Sequence, residues 1–394
     1  MPEFRKNGIT ATALAFALLL PAACSSGGET GGAAVDVPAA TVPANPPRPA
    51  DCAPVPRAAP TTADGWLGIT ATKPDDVGLV VDDGRGSVVS HAPDAQMPIA
   101  SAAKIVHVAA YGRAVAEGRL RPDEQVRVGD WENWYLASDA GAHPGALDAL
   151  GIPRSPEGTA LDPNRTVTLQ QMVASMVQFS DNAAADYLRD RLGDQALIDA
   201  AAAGGWRDLD LPSELGAQLA LVRPQEAPPL SAPRSVRGPA ELALAQRFAA
   251  DPAFREDSRR RLVAQAEDVE AYLLESERWA RSTSTGSAAQ LAGLWRAVIS
   301  GSFGAGADVA RNELEPDAPR PDGQVRAVKG GSFPGVGTMA VSVRRPDGTI
   351  GVGVLLGRGF TPTTDLNDVG LAQLRLLVQA VEDPAARSRV LCVA

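Results

Sequence analysis

Apolar runs that are broken by turn residues predict β-strands at both ends of the chain. Val77–Val81 and Ser87–Ser90 flank an Asp-Gly turn, which is a strong signal for a β-hairpin. Towards the other end, Arg326–Val328 predicts a short strand, and Val336–Val343 and Thr349–Leu356 flank a second turn that contains Pro, Asp and Gly. The middle of the chain shows a different periodicity.

Between the two strand regions, apolar residues recur at helical spacing. Helices are predicted from Pro98 to Gly118 and directly behind Thr168, with a Pro-rich break at Arg223–Pro239. The other predicted helices are Glu241–Phe248, Arg260–Leu274, Ala288–Ile299 and Asn367–Glu382. This order predicts an α+β fold, in which strands from the N- and C-terminal regions form one antiparallel sheet and a large helical block is inserted between them.

The first residues predict export. Two basic residues precede an apolar stretch from Ile9 to Leu20, which is shorter than the ~20 apolar residues of a membrane span, and small residues lead into Cys24. We therefore expect a signal peptide over residues 1–23. The segment before Cys24 resembles the cleavage box of bacterial lipoproteins, which implies a lipid on Cys24 and anchoring on the outer face of the cytoplasmic membrane. Since Pro21 stands where an aliphatic residue is usual, ordinary secretion is the alternative.

The composition then divides the exported part into a tether and a domain. Residues 24–64 are rich in Gly, Ala and Pro and cannot bury enough apolar surface to fold, so they predict a disordered tether. Residues 65–394 are expected to form one domain, whose α/β part spans 65–100 and 322–394 and whose helical part spans 101–321. We expect this domain to be a monomer.

The cysteines, the net charge and the histidines indicate which cross-link, partners and cofactors to expect. Cys52 and Cys392 lie at the two ends of the folded part, and in an oxidising compartment they predict a disulfide that joins the termini; two free thiols are the alternative. The formal net charge of −10 argues against binding to nucleic acid and leaves the lipid as the expected contact with the membrane. We expect no cofactor and no metal, because the three histidines, at positions 91, 107 and 143, form no ligand pair on a helix face.

Two short motifs in the helical part carry candidate chemistry. Ser101 and Lys104 lie three residues apart at the start of a helix, so the amine can reach the hydroxyl and, with a lowered pKa, take its proton. Ser180-Asp181-Asn182 follows a helix and presents a hydroxyl and an amide together. As an isolated tripeptide it is equally suited to capping a helix.

A third motif, Lys329-Gly330-Gly331-Ser332, lies at the end of a predicted strand. Lys329 offers a positive charge for a substrate carboxylate and can depress the pKa of Lys104. Gly331 lets a ligand approach the backbone, and the N–H of Ser332 could complete an oxyanion hole. Protection of a sheet edge is the alternative role of such a lysine.

Together, the order and setting of the three motifs resemble the active-site set of the penicilloyl-serine transferases, Ser-x-x-Lys, Ser-Asp-Asn and Lys-Thr-Gly. The likeness covers about 77–382 and is closest to class A β-lactamases and their DD-peptidase-like relatives. It implies that Ser101 forms an acyl-enzyme and that Lys104 is its general base. It also implies that Ser180 relays a proton to the leaving nitrogen, Asn182 holds the substrate amide and Lys329 binds a carboxylate.

Two departures from this family concern turnover. Gly330 stands where the third motif normally has Thr or Ser. Class A enzymes also carry Glu-x-x-Leu-Asn after Ser-Asp-Asn, and alignment on Leu215 puts Pro212 and Gly216 at the Glu and Asn positions. Glu214 could be the deacylating base if the loop were reshaped; otherwise it is a surface carboxylate.

These features leave two hypotheses. The first is a serine hydrolase that acts on β-lactams or cell-wall peptides. The second is a non-catalytic binding or sensor lipoprotein that keeps the cleft with little turnover. A group of aromatic residues, Trp131, Trp134 and Tyr135, could line the entrance to the cleft or simply pack a loop.

Overall fold

The computed structural model describes residues 41–55, 58–265, 268–315 and 319–394. The predicted signal peptide, Cys24 and the first part of the tether lie outside these residues, so lipid anchoring stays a prediction. Within the described ranges, no helix combines the length and the apolar character that a bilayer span requires.

An antiparallel sheet of five strands, in the order β2-β1-β9-β8-β7, forms the centre of the domain. Its strands come from both ends of the chain, so the predicted α+β fold is confirmed. Two further pairs, β3 with β6 and β4 with β5, are short. The strands are Val77–Asp82 (β1), Val88–His91 (β2), Met97–Pro98 (β3), Gln125–Arg127 (β4), Thr166–Thr168 (β5), Thr285–Gly286 (β6), Val325–Phe333 (β7), Val336–Arg344 (β8) and Ile350–Arg358 (β9).

Helices cover both faces of this sheet and fill the region between β3 and β7. They are Ala63–Thr72 (α1), Lys104–Ala116 (α2), Val128–Glu132 (α3), Ala142–Ala149 (α4), Leu169–Gln178 (α5), Asn182–Leu192 (α6), Asp194–Ala203 (α7), Glu214–Val222 (α8), Arg234–Ala250 (α9), Pro252–Gln265 (α10), Val269–Ala280 (α11), Ala288–Ser300 (α12), Ala307–Leu314 (α13), Leu366–Glu382 (α14) and Pro384–Leu391 (α15). The single helix predicted over Arg260–Leu274 is wrong. The chain forms α10 and α11 instead, because the Asp268 side chain caps a new helix by accepting from the N–H of Ala271.

Two apolar cores hold the layers together. The larger core joins the sheet to the helical block through α2 and α12, and the smaller one packs α1, α14 and α15 on the opposite face of the sheet. Helix α2 is buried almost all round, from Lys104 to Ala110, so its apolar residues contact neighbours on every side. This burial places the start of α2, including Lys104, in the interior of the domain.

Two structural features lie within the segment that was predicted to be a tether. Helix α1 starts at Ala63, capped by the side chain of Thr62, and it buries Trp66 and Leu67 against the sheet. Upstream, the Asn45 side chain donates to the carbonyl of Ser90 and accepts from its N–H, at 2.7 and 2.8 Å. A disordered tether up to residue 64 is therefore wrong at its C-terminal end, because Asn45 satisfies the backbone of the edge strand β2.

The predicted disulfide is present. Cys52 and Cys392 are bonded across a sequence separation of 340 residues, and their Cα atoms lie 5.5 Å apart. The bond links the segment before α1 to the end of α15.

We expect a Cys52→Ser, Cys392→Ser double variant to unfold more easily. A cross-link between distant positions restricts the unfolded chain, and its loss typically costs about 2–4 kcal/mol. For a domain of this size that corresponds to a fall of about 4 °C in melting temperature. Calorimetry of the double variant and of oxidised wild-type protein measures the difference in melting temperature. Reduced wild-type protein, which also lacks the cross-link, is the matched control. An unchanged melting temperature would contradict the expectation.

Candidate active site

Ser101 and Lys104 meet at the start of α2. Ser101 lies in a short 3-10 turn, Ala100–Ala103, which leads directly into the helix. Lys104 is completely buried, and its Nζ donates to the Ser101 Oγ at 2.8 Å. Ala100, which precedes the serine, has a φ of 45°, a conformation that costs energy for any residue with a Cβ. The backbone is therefore held in a strained turn at the point where it presents the hydroxyl.

The Lys104 ammonium also contacts the Ser-Asp-Asn motif. Its Nζ lies 2.8 Å from the carbonyl oxygen of Ser180 and 2.5 Å from Oδ1 of Asn182. Burial lowers the pKa of Lys104, while the carboxylates of Glu214 and Asp181 oppose this shift. A buried amine with a lowered pKa, in contact with a hydroxyl, is suited to act as a base.

The Ser180 hydroxyl lies between two lysines. Lys329 Nζ donates to Ser180 Oγ at 2.9 Å and to the carbonyl of Gly330 at 2.7 Å, and Lys104 Nζ lies 3.4 Å from the same hydroxyl. Burial, followed by the nearby charge of Lys104, lowers the pKa of Lys329 well below its usual value. Ser180 has a φ of 66°, so strain is also present here. The arrangement provides a short path for a proton across the cleft.

Strand β7 runs directly beside Ser101. A Cβ built on Gly331 would lie 2.4 Å from the backbone nitrogen of Ser101, so only glycine fits at this position. From β8, the Thr338 hydroxyl lies 3.1 Å from the carbonyl oxygen of Gly331 and 3.0 Å from that of Ile99. Thr338 thereby connects β7 to the turn that carries Ser101. No sequence motif indicated Thr338, because its role depends on strand pairing.

The remaining residues of the third motif have different surroundings. A Cβ on Gly330 would lie 3.0 Å from Cε of Met339, on the face of the sheet opposite to that of Gly331. Ser332 is exposed and lines the main cleft. Lys329 borders an adjoining cavity of about 580 Å³ and reaches the main cleft through the Ser180 hydroxyl.

Glu214 lies in the same cleft as Ser101. It is the first residue of α8, whose N-terminus is capped by the Ser213 side chain. Its side chain is largely buried, and its Oε1 lies 4.0 Å from Lys104 Nζ. The interpretation of Glu214 as a surface carboxylate is therefore wrong. The loop is shaped differently from the Glu-x-x-Leu-Asn pattern, so Glu214 itself reaches the cleft.

Asp186 on α6 fixes the start of α8. Its Oδ2 accepts from the N–H of Leu215 at 2.6 Å, and burial raises the pKa of its carboxyl to about 6. Sequence reasoning missed Asp186, because the partner lies 29 residues away and no local pattern links the two. Asp186 therefore positions Leu215, the residue that follows Glu214.

Asp181, the middle residue of the second motif, anchors the motif in the interior. One of its oxygens accepts from the N–H of Ala184 and caps α6, and the other lies 2.7 Å from Nδ1 of His143. The second ring nitrogen of His143 lies 3.5 Å from the Glu132 carboxylate. Burial alone would lower the pKa of His143, but Asp181 and Glu132 outweigh it and raise the pKa to about 9.

The aromatic residues near this motif are packed. Trp131, Trp134 and Tyr135 are all buried, and none of them lines the cleft. The rings of Trp131 and Tyr135 lie 4.7 and 4.3 Å from the His143 ring. The packed-loop interpretation therefore holds, and the loop encloses His143.

We expect the contribution of His143 to stability to disappear at alkaline pH. Its folded pKa of about 9 is above the ordinary value of 6.5, so the protonated form is stabilised by folding. This stabilisation, at most about 3 kcal/mol, is complete below pH 6.5 and is lost as the pH rises through 9. Denaturant titrations of wild-type and His143→Gln protein between pH 6 and 9.5 should therefore converge at high pH. A constant difference would contradict the expectation.

The cleft is large, and the charged side chains on its lining are acidic. It has a volume of about 840 Å³ and is lined by Ser101, Ser180, Asn182 and Glu214, together with the end of β7 and parts of α11 and α14. Asp139 and Glu214 are the charged side chains on its lining within the described residues. No cluster of His, Cys, Asp or Glu in this part of the chain could hold a metal ion.

The sequence profile of the beta-lactamase enzyme family matches residues 67–305. The chain belongs to this family. The match includes Ser101, Lys104, Ser180 and Glu214 and ends before β7, so the third motif rests on the geometry above.

The chain is similar to several solved structures. A β-lactamase from Sphaerobacter thermophilus DSM 20745 is 18% identical and has a TM-score of 0.50, over 80% of this chain and 95% of that chain. A class A β-lactamase from Mycobacterium abscessus is 15% identical, with a TM-score of 0.49 over 81% and 99% of the two chains. PBP-A is 16% identical, with a TM-score of 0.42 over 83% and 93%. No curated protein sequence matches the chain.

Proposed function

We propose that this β-lactamase-family protein is a serine hydrolase that forms an acyl-enzyme at Ser101. Its substrates are amides or esters, either β-lactams or peptidoglycan-like peptides. The observation that carries the proposal is the contact of 2.8 Å between Lys104 Nζ and Ser101 Oγ, inside an open cleft and with the pKa of the lysine lowered.

In the acylation step, Ser101 Oγ attacks the substrate carbonyl carbon while Lys104 takes the hydroxyl proton. The backbone N–H groups of Ser101 and Ser332 stabilise the oxyanion that forms. When the carbon–nitrogen or carbon–oxygen bond breaks, the leaving group receives a proton through the Ser180 hydroxyl, which Lys104 and Lys329 both contact. An ester then joins the acyl group to Ser101.

In the deacylation step, Glu214 takes a proton from a water molecule as the water oxygen attacks the acyl carbon. The bond between this carbon and Ser101 Oγ then breaks and the acid is released. The proton returns from Glu214 through Lys104 to Ser101 Oγ, which restores the starting state. The burial of Glu214 in the cleft, near Lys104, supports this role. The alternative hypothesis, a non-catalytic sensor, was supported partly because the sequence lacks the Glu-x-x-Leu-Asn pattern that supplies a deacylating base. Turnover is therefore the function that the geometry favours.

The place of action is also proposed. A disulfide between Cys52 and Cys392 requires an oxidising compartment in most organisms, which supports export. Attachment through Cys24 would then hold the domain outside the cytoplasmic membrane.

Labelling with a fluorescent penicillin tests this function. We expect a covalent adduct on the native protein, and peptide mass analysis should place it on Ser101. The Ser101→Ala variant, with an unchanged melting temperature, is the control and should not be labelled. An adduct at another residue, or no adduct with any β-lactam or activated ester, would overturn the proposal.

A further inference from the structure

Most of the charged groups around Lys104 are acidic, although the amine must lose a proton to act as a base. A nearby negative charge holds the proton of an ammonium and raises its pKa. The carboxylates that act on Lys104 in this way, the largest effect first, are those of Glu214, Asp181, Asp139 and Asp186. On the β7 side, Lys329 faces Lys104 across the Ser180 hydroxyl, and His107 of α2 is neutral because burial lowers its pKa to about 3. A cation that binds some of these carboxylates would favour release of the proton.

His143 on α4 contacts two of these four carboxylates. Its Nδ1 lies 2.7 Å from Oδ2 of Asp181, and its backbone N–H donates to Oδ2 of Asp139 at 2.8 Å. A ring with a carboxylate at each nitrogen donates from both nitrogens, which is the imidazolium form. The titratable and charged groups around the ring are Asp181 at the start of α6, Glu132 of α3, Asp139, Tyr135 and, at the carbonyl oxygen of Tyr135, Arg259 of α10.

Asp181 connects this ring to the candidate base. Its second oxygen, Oδ1, accepts from the N–H of Ala184, so the side chain is held from two sides. Its neighbours in the chain are Ser180 and Asn182. The carbonyl oxygen of Ser180 and Oδ1 of Asn182 are the atoms that contact Lys104 Nζ, at 2.8 and 2.5 Å. Holding Asp181 in place therefore also holds two acceptors of the amine.

We propose that His143 is a positioning residue for acylation. As an imidazolium, it holds the Ser-Asp-Asn motif through Asp181 and offsets the negative charge behind Lys104, so that the amine can release its proton. Its pKa of about 9, raised by Asp181 and Glu132, keeps the ring charged at neutral pH. The side chain is fully buried and does not line the cleft, so it acts through Asp181 and not on the substrate. This inference rests on the proposed function, because acylation needs the free amine.

Titration of the Lys104 amine tests this inference without any substrate. Carbon-13 NMR of labelled lysine gives few signals, since the lysines of the chain are Lys6, Lys73, Lys104 and Lys329. In His143→Asn protein the new amide can still donate to Asp181 but carries no charge. We expect the midpoint of Lys104 to rise by about one pH unit, the lower end of the effect of a nearby charge. Adding Asp181→Asn removes the pair as a whole and should return the midpoint towards that of wild type.

Two controls accompany this titration. Lys73 is exposed and should keep its midpoint in every variant. His91→Asn makes the same change on strand β2, away from the cleft lining, and should leave the midpoint of Lys104 unchanged. An unchanged midpoint of Lys104 in folded His143→Asn protein would overturn the inference.

The pH profile of acylation provides the functional readout. On the rising part of the profile, the rate with a fluorescent penicillin follows the fraction of free amine. A shift of about one pH unit in His143→Asn protein therefore lowers the rate about tenfold at a given pH, and the loss disappears at high pH. A purely structural role would lower the rate by the same factor at every pH, and that result would contradict the inference.

The outcomes separate this inference from the proposed function. If nothing acylates the wild-type protein but the midpoint of Lys104 rises in His143→Asn protein, only the proposed function fails. If the wild-type protein is acylated and the midpoint does not move, only this inference fails. Should His143→Asn protein not fold, nitrogen-15 NMR of the wild-type histidines decides, and the double variant with Asp181→Asn identifies the His143 signals. Protons on both ring nitrogens at pH 7 would support the inference, and a neutral ring would overturn it.

Discussion

Glu214→Gln protein is expected to remain acylated long after the wild-type protein has released its product. The glutamine keeps the shape of the side chain but cannot take a proton from water. Because Ser101 and Lys104 keep their 2.8 Å contact, the first half of the reaction continues. General-base catalysis typically contributes about 10²–10⁴-fold, so deacylation should slow by that factor.

The lifetime of the adduct, followed by intact-protein mass spectrometry after removal of free penicillin, measures this effect. Asp139→Asn is the matched control, since Asp139 is the other charged residue on the lining of the cleft and is not among the contacts of Lys104 Nζ. Its adduct should decay at a rate within a few-fold of wild type. If the Glu214→Gln adduct decays as fast as wild type, another group activates the water.

The second large effect is slower formation of the adduct, which we expect in Lys104→Met protein. Methionine keeps an unbranched side chain out to the position of Cε but removes the amine that contacts Ser101 Oγ. Without a base, the hydroxyl is a weak nucleophile, and the acylation rate should fall by about 10²–10⁴-fold. The wild-type rate should rise with pH as the amine loses its proton, and this dependence should be absent in the variant.

Rapid quenching and gel fluorescence measure the acylation rate at each pH. Lys73→Met is the matched control, because Lys73 is exposed and lies outside the cleft lining. The melting temperatures of all three proteins show whether the fold is kept, since Lys104 also contacts Ser180 and Asn182. A Lys104→Met rate above a tenth of the wild-type rate would mean that another base deprotonates Ser101.

Much of the fold could be predicted from local sequence signals. The same signals predicted that the three motifs lie in one site. The Asp-Gly turn set the register of β1 and β2, and the helical periodicity behind Thr168 matches a helix capped by that residue. Ser101 and Lys104 are neighbours on one turn, so their contact depends on helix geometry alone. The third motif was placed on a strand for similar reasons, although β7 runs on to Phe333.

The features that sequence reasoning missed depend on contacts between distant parts of the chain. Glu214, which the sequence offered as a possible base, reaches the cleft because the start of α8 is held from α6. The five-residue pattern contains nothing about that contact. The pairing of Asp181 with His143 spans 38 residues and is made by packing in the interior. Helix α1 contains two glycines that weaken it, and it forms because Trp66 and Leu67 are buried against the sheet. In each case tertiary packing outweighs the local preference.

The bond between Cys52 and Cys392 closes the folded chain into a covalent ring. A protease that cuts once inside this ring, for example at the exposed turn of Asp322 and Gly323, would leave both fragments joined. The candidate catalytic residues before the cut and β7 after it would therefore stay on one molecule. An enzyme that works outside the cell, where proteases are met and no resynthesis is possible, would in this way tolerate damage that separates an open chain.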